Sequence, residues 1–503
     1  MKNIFLTLVF IIPLLGGLAG CYDDKGNYDY KNINTVDFVM KPESEDGFYR
    51  FKLRTTEFDV VFAPTVTQSL SENEDNLEYL WLVSYVKSGK SVVDSVTTKE
   101  LTLTFPAQKA MSYGIIFRLT DVTTNVSSYA SLSVKTVNPY VDSWLVLNGA
   151  DGERRISAIE EPDSVQYVYT ENAWTDMGNA PRFQDAVGMF YAPSVLMEKP
   201  QAPELLYVFT QDSLLALDPF AMQVYKTNKD LFSQKLLNET HELWYGVDGS
   251  AKGGIPMLVD RDYNFYYTTM PANGQFRDPY TGFVGSCRAS KVTMASESNV
   301  AFIWDDEQKK FMYLPGGDGA LYEAGGGEYD WKDKEVIWLG LDNVLPDGDY
   351  KDRVAMAIVK DLATGDYWAY HFDYGRNEFT QDFLGELDID ENSQFATTQA
   401  FESQFFYTSG SKVYRYNVAG REAEELYDAG ATISCLKFRI NETTNIDKED
   451  YMRFLGIVVN KETEGELHEL VLNTAGDVKD VHVFTGFGPI QDVCFTIINR
   501  NVL

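Results

Sequence analysis

A hairpin that returns about every 50 residues constrains this 503-residue chain more than any other feature. Beyond Asn138-Pro139-Tyr140 an apolar strand, a tight polar turn and a second apolar strand recur seven times. The pairs are 144–147 with 156–159, 205–209 with 214–217, 256–259 with 265–268, 301–304 with 311–314, 354–359 with 367–372, 405–407 with 413–416, and 454–459 with 467–472. That period suits a β-propeller, whose blades each need four strands. An inner strand should precede every hairpin, and candidates begin near Asp185, Glu242, Cys287, Val336, Gln394, Thr432 and Asp492. The last of these has no hairpin after it, and the first hairpin has no inner strand before it. Pairing the two loose ends closes a ring and leaves no open edge. The expected fold is therefore all-β, with residues 141–503 a seven-bladed β-propeller closed by the C-terminal strand. The competing arrangement is a pair of β-sandwiches.

The preceding segment, 33–138, reads as seven short strands, at 35–40, 48–53, 58–62, 79–86, 101–105, 114–120 and 128–137. Polar turns separate them, as in an immunoglobulin-like sandwich, with Trp81 placed as the core tryptophan. An aromatic content of 14% agrees with sheet. A net charge of -32 repels phosphate backbones, so nucleic acid is excluded as a partner. Of four cysteines, Cys287, Cys435 and Cys494 lie in the body of the chain, too few for a disulfide framework. Cys435 and Cys494 fall on equivalent inner strands and are expected to remain thiols.

Residues 1–20 have the plan of an export signal: Lys2, an apolar run over 4–15, then small residues. Leu18-Ala19-Gly20-Cys21 resembles the bacterial lipobox, in which the cysteine is acylated, so Cys21 is the candidate lipidation site and 21–32 a tether. The following Tyr22-Asp23-Asp24 resembles the surface-export signal of Bacteroidota lipoproteins. In the sandwich, 113–121 and 131–134 resemble the closing hairpin of PKD-type domains, although the Gly-Asp-Gly signature of that family is absent. Lipobox, acidic tether, Tyr28-Asp29-Tyr30, this domain and a Trp144-Leu145-Val146-Leu147 opening together resemble the PKD-like family lipoproteins of Bacteroidota. The resemblance implies an outer-membrane, cell-surface protein in the company of nutrient-uptake proteins, and it carries no catalytic residues.

Catalytic signals are scarce. The four histidines, His241, His371, His468 and His482, show no metal spacing, and no GxSxG is present. Asp388 to Asn392 opens like a calcium loop, but Ser393 replaces the required glycine and Gln399 the closing glutamate, so a charged inter-strand loop is expected there. No metal or cofactor is called for. A propeller gathers the loops before its inner strands around a funnel, which makes Arg182, Asp185, His241, Trp244, Arg288, Gln394 and Asp492 candidate ligand-binding residues. Trp244 offers a face for a sugar ring, or packs between blades. Asp94-Ser95-Val96, Asp163-Ser164-Val165 and Asp212-Ser213-Leu214 resemble the O-glycosylation acceptor of Bacteroidota, which makes Ser95, Ser164 and Ser213 candidate sites. The expected function is a non-catalytic binding or scaffolding lipoprotein for glycan or peptide uptake. The alternatives are a propeller hydrolase or lyase acting on extracellular polysaccharide, and a structural spacer that binds only its neighbours.

Overall fold

The computed structural model describes residues 33–44, 47–54, 56–107, 111–137, 140, 142–160, 167–174, 183–192, 205–210, 214–219, 223–232, 243–247, 257–260, 263–268, 275–276, 280–281, 287–295, 300–315, 320–343, 353–440 and 449–497. They are almost all strand and turn, and they form two compact units.

The first unit contains β1 (Val36–Lys41), β2 (Phe48–Lys52), β3 (Phe58–Gln68), β4 (Leu77–Lys87), β5 (Lys90–Val96), β6 (Leu101–Phe105), β7 (Ser112–Asp121) and β8 (Val126–Val137). One sheet runs β1-β3-β6 and the other β2-β8-β7-β4-β5. Strict alternation in β6 and β7 turns Leu101, Leu103, Phe105, Ile115, Phe117 and Leu119 into one core between the sheets. Trp81 is fully buried there, its ring centroid 4.3 Å from that of Phe117 and its indole N–H donating to the Thr98 carbonyl.

Two strands depart from the sequence reading. The reading missed β5, because Lys90-Ser91-Val92-Val93-Asp94-Ser95-Val96 is mostly polar. It sits at a sheet edge, where such a strand needs only one partner. Ser88 and Gly89, both with positive φ, make the two-residue turn from β4 that fixes its register. β3 continues past the expected end at Phe62 because Pro64 pairs only with β1, leaving its missing N–H without consequence.

The second unit contains seven sheets among the described residues. The first joins β9 (Ser143–Asn148), β10 (Arg155–Glu160) and β11 (Val168–Thr170) to the last strand of the chain. The second is β12 (Ala186–Ala192), β13 (Leu205–Thr210), β14 (Leu214–Asp218) and β15 (Gln223–Lys226). The third is β16 (Leu243–Val247), β17 (Met257–Asp260) and β18 (Phe265–Tyr267). A short β19 (Tyr280–Thr281) then runs parallel to the outer strand of the fourth sheet, which holds β20 (Ala289–Ala295), β21 (Val300–Asp305), β22 (Lys310–Pro315) and β23 (Ala320–Glu323). The fifth is β24 (Lys334–Leu341), β25 (Arg353–Asp361), β26 (Tyr367–Asp373) and β27 (Glu378–Gly385). The sixth is β28 (Phe395–Ala396), β29 (Gln404–Ser409), β30 (Lys412–Asn417) and β31 (Glu422–Asp428). The seventh is β32 (Ile433–Phe438), β33 (Phe454–Asn460), β34 (Gly465–Leu472) and β35 (Val478–Phe487). β36 (Ile490–Thr496) completes the first sheet, with Val493 opposite Val146 and Cys494 opposite Leu145.

The central strands are buried on both faces, which is why they read as unbroken apolar runs. In β9, Leu145 and Leu147 pack on the second sheet with Met189, Leu206 and Val208. Trp144 and Val146 point the other way, onto Val458 and Leu467 of the seventh sheet. The same alternation joins the second sheet to the third, and so on through the sixth and seventh. The seventh sheet thus packs on the first. The outer strands β11, β15, β31 and β35 are mostly exposed or half-buried.

Candidate functional site

The first strand of each sheet is the edge strand β36, β12, β16, β20, β24, β28 or β32, and all but β28 share a defect. In β12, β16, β20, β24, β32 and β36 the pairing slips by one residue, at Val187, Trp244, Ser290, Ile337, Ser434 and Gln491. Such bulges bend a strand and re-aim the side chains that follow. The residues after them are Gly188, Tyr245, Lys291, Trp338, Cys435 and Asp492. The opposing strand in each sheet ends in a polar residue: Asn148, Thr210, Asp260, Asp305, Asp361, Ser409 or Asn460. Several of them hold the chain as it arrives. Arg288 N–H donates to Asp305 Oδ2 at 3.1 Å, and Ile490 N–H to Asn460 Oδ1 at 2.7 Å. These first strands lie beside one another in the orders β36, β12, β16, β20, β24 and β28, β32, β36.

Asp492 is the best-placed of the sequence candidates. Its Oδ2 accepts from Met189 N–H of β12 at 3.0 Å, and its Oδ1 from Lys437 Nζ of β32 at 2.7 Å. Lys437 also donates to the Val493 carbonyl at 3.0 Å. Three consecutive sheets therefore meet at one ion pair. Gly188 permits this: a Cβ there would lie 3.2 Å from the Phe209 ring and 3.6 Å from the carboxylate. Burial works against the Lys437 charge, but Asp492 outweighs it and the ammonium pKa is raised. On β20, burial lowers the pKa of Lys291, opposed by Glu335 and Asp306.

The other candidates are scattered or occupied. Arg288 stacks over Tyr263, 4.4 Å from the ring centroid, and bonds Asp306 at 3.0 Å. Gln394 exchanges backbone and side-chain bonds with Thr408 and Asn392. Asp185 is exposed in the turn before β12. Trp244 is at the bulge of β16, but its side chain, like Arg182, His241, Cys21, Ser164 and Ser213, lies outside what the structure describes. Sequence reasoning missed Lys437. The available signal was a lone cation two residues after Cys435 in the short strand Ile433–Phe438.

The strongest polar cluster lies at the seam between the seventh and first sheets. Arg439 and Glu469, both fully buried, pair through two bonds of 2.7 and 2.8 Å. Glu469 also accepts from the Trp144 indole at 2.6 Å and the Tyr167 hydroxyl at 2.8 Å. Burial raises the Glu469 pKa, yet His482, Arg439 and Trp144 together bring it down to about 2. The guanidinium carbon sits 4.0, 4.7 and 4.9 Å from the ring centroids of Phe454, Phe495 and Tyr451. Elsewhere, buried His371 holds Asp342 through Nδ1 at 3.0 Å and faces Asp382 through Nε2 at 3.3 Å.

Burial pushes the Cys435 thiol up to about 11, and it raises that of Cys287 as well. None of the three cysteines among the described residues is in a disulfide. Cys494 packs toward the second sheet and Cys435 toward the seam with Val493 and Phe495, so the first sheet stands between them. Asp390 accepts from its own turn at Asn392 N–H, and no group of three or more metal-ligating side chains occurs among the described residues.

The PKD-like family matches residues 21–181, from the candidate lipidation cysteine to beyond β11. The chain carries a PKD-like domain. Ser95 of that PKD-like domain is exposed on the edge strand β5. No curated protein matches the chain. Among solved structures it is similar to a quinoprotein alcohol dehydrogenase-like protein of Bacteroides thetaiotaomicron, at 10% identity over 92% of this chain and 99% of that one, with a TM-score of 0.42. It is also similar to the hydrazine synthase of Kuenenia stuttgartiensis, at 10% identity over 58% of this chain and 79% of that one, with a TM-score of 0.38.

Proposed function

We propose that β9 to β36 form a seven-bladed propeller closed by β36, carried behind the PKD-like domain as a spacer. On this reading the protein is an outer-membrane, surface-exposed lipoprotein of Bacteroidota type, acylated at Cys21. It binds or scaffolds, without catalysis, for a glycan or peptide uptake system. The packing of the seventh sheet on the first supports the ring. The observation that carries the non-catalytic reading is the state of the reactive groups. On the first strands Lys437 and Asp492 neutralise each other across sheets, Lys334 pairs with Asp361 inside the fifth sheet, Arg288 at the start of β20 pairs with Asp306 inside the fourth, and the Cys435 thiol is held in its protonated form. A glycosidase would need two convergent carboxylates with separate roles.

The test is full-length protein in detergent, challenged with polysaccharide and peptide panels and used as bait on intact cells. Binding or co-purification without product supports the reading. Release of product overturns it in favour of a hydrolase or lyase.

A further inference from the structure

Lys437 is held by groups on a neighbouring strand and still reaches water. Solvent reaches 43% of its side chain, yet surrounding protein makes desolvation the largest influence on its ammonium. The ammonium has three N–H donors, and two are used, on Asp492 and the Val493 carbonyl. The third has no partner among the described residues. Asp492, 22% exposed, accepts from Lys437 and Val493 N–H on Oδ1, but only from Met189 N–H on Oδ2. Oδ2 keeps acceptor capacity. The pair therefore presents one charged donor beside one charged acceptor, on three strands that fix their geometry.

We propose that the Lys437–Asp492 pair is a hydrogen-bonding handle for the vicinal diol of a neutral sugar, a proposal that rests on the first strands being the binding face. Two hydroxyls on neighbouring ring carbons lie close enough together for one to meet the Lys437 ammonium while the other meets Asp492 Oδ2. One accepts from the ammonium while the other donates to the carboxylate, and both bonds are charge-assisted. An acidic sugar fits less well, because Asp492 already neutralises Lys437 and the whole chain carries -32. A peptide group fits less well too, since a trans amide turns its N–H and C=O to opposite sides.

The experiment uses full-length protein in detergent and saturation-transfer NMR. The probes are mannotriose, maltotriose and xylotriose, with trigalacturonate as the acidic control and tetra-alanine as the peptide control. At least one neutral trisaccharide should bind, and Lys437→Met and Asp492→Asn should each weaken it tenfold or more while keeping the wild-type far-ultraviolet spectrum. Lys437→Arg, which restores the charge, serves as the second probe if Lys437→Met fails to fold, and it should retain part of the affinity. Neutral sugar binding unchanged in these variants refutes the handle and leaves the binding reading standing. Preference for trigalacturonate or tetra-alanine refutes the diol. If no probe binds while cell partners co-purify, the handle falls and scaffolding survives. Turnover of a probe would sink the non-catalytic reading by itself.

Discussion

Replacing Glu469 by glutamine should open the seam between the seventh and first sheets. The change keeps the side-chain volume and one acceptor oxygen for Trp144, but it leaves the Arg439 guanidinium fully buried without a counter-charge. Removing one partner of a buried pair costs about 3–5 kcal/mol. The three rings around Arg439 persist in the variant and offset part of this, since a desolvated cation–π contact contributes roughly 2 kcal/mol. The lower end, about 3 kcal/mol, is therefore expected. With a urea m-value near 3 kcal/mol/M, that lowers the unfolding midpoint by about 1 M. The assay is urea unfolding followed by the fluorescence of the eight tryptophans, Trp144 among them. The double variant Arg439→Met/Glu469→Leu should recover most of the loss, because it removes the orphaned charge together with its partner. A midpoint shift under about 0.3 M for Glu469→Gln, or no recovery in the double variant, would refute the reasoning.

The same cluster titrates. A bond to Glu469 raises the His482 pKa, so its stabilisation is complete below the unfolded value near 6.5 and fades as pH rises through the folded value. Wild type should lose stability relative to His482→Gln as pH rises above about 6.5 in parallel urea titrations, and a constant difference would contradict this. Gly456→Ala should destabilise the seam, because a methyl there would lie 2.8 Å from the Trp144 ring; an unchanged melting temperature would show that the ring gives way. In the PKD-like domain, Trp81→Ala should cost about 3–5 kcal/mol and abolish its near-ultraviolet signal, and a loss below about 1 kcal/mol would contradict its place in the core. Cys435 should resist maleimide in the native protein at neutral pH and react once unfolded, and rapid native labelling would contradict its raised pKa.

The strands were legible where burial on both faces wrote unbroken apolar runs, as in Leu205–Thr210 and Val300–Asp305. The first strands were legible too, down to Asp492 near the start of β36. Much of the polar architecture was hidden. A bulge such as that at Ser434 leaves no hydrophobic signature, because it changes register rather than residue type. Arg439, Glu469 and Trp144 meet across 30 to 325 positions, and a charge buried by distant partners looks in sequence like any other surface charge. The repeated Asn, Thr, Asp or Ser closing each second strand could have been read, since it falls at one fixed place before every hairpin turn. β5 could not be read from apolarity, because an edge strand shows little of it.

The central claim is that β36 completes the sheet begun by the β9–β10 hairpin. Leu145 and Cys494 are opposed in that sheet and face the same side. Opposed residues of an antiparallel pair lie about 4.5–5.5 Å apart at Cα, within reach of a disulfide. A Leu145→Cys variant, oxidised in its native state and mapped by peptide mass spectrometry, should form a bond joining position 145 to Cys494. Recovery of Cys494 as a free thiol, or bonded instead to Cys435, would contradict the ring.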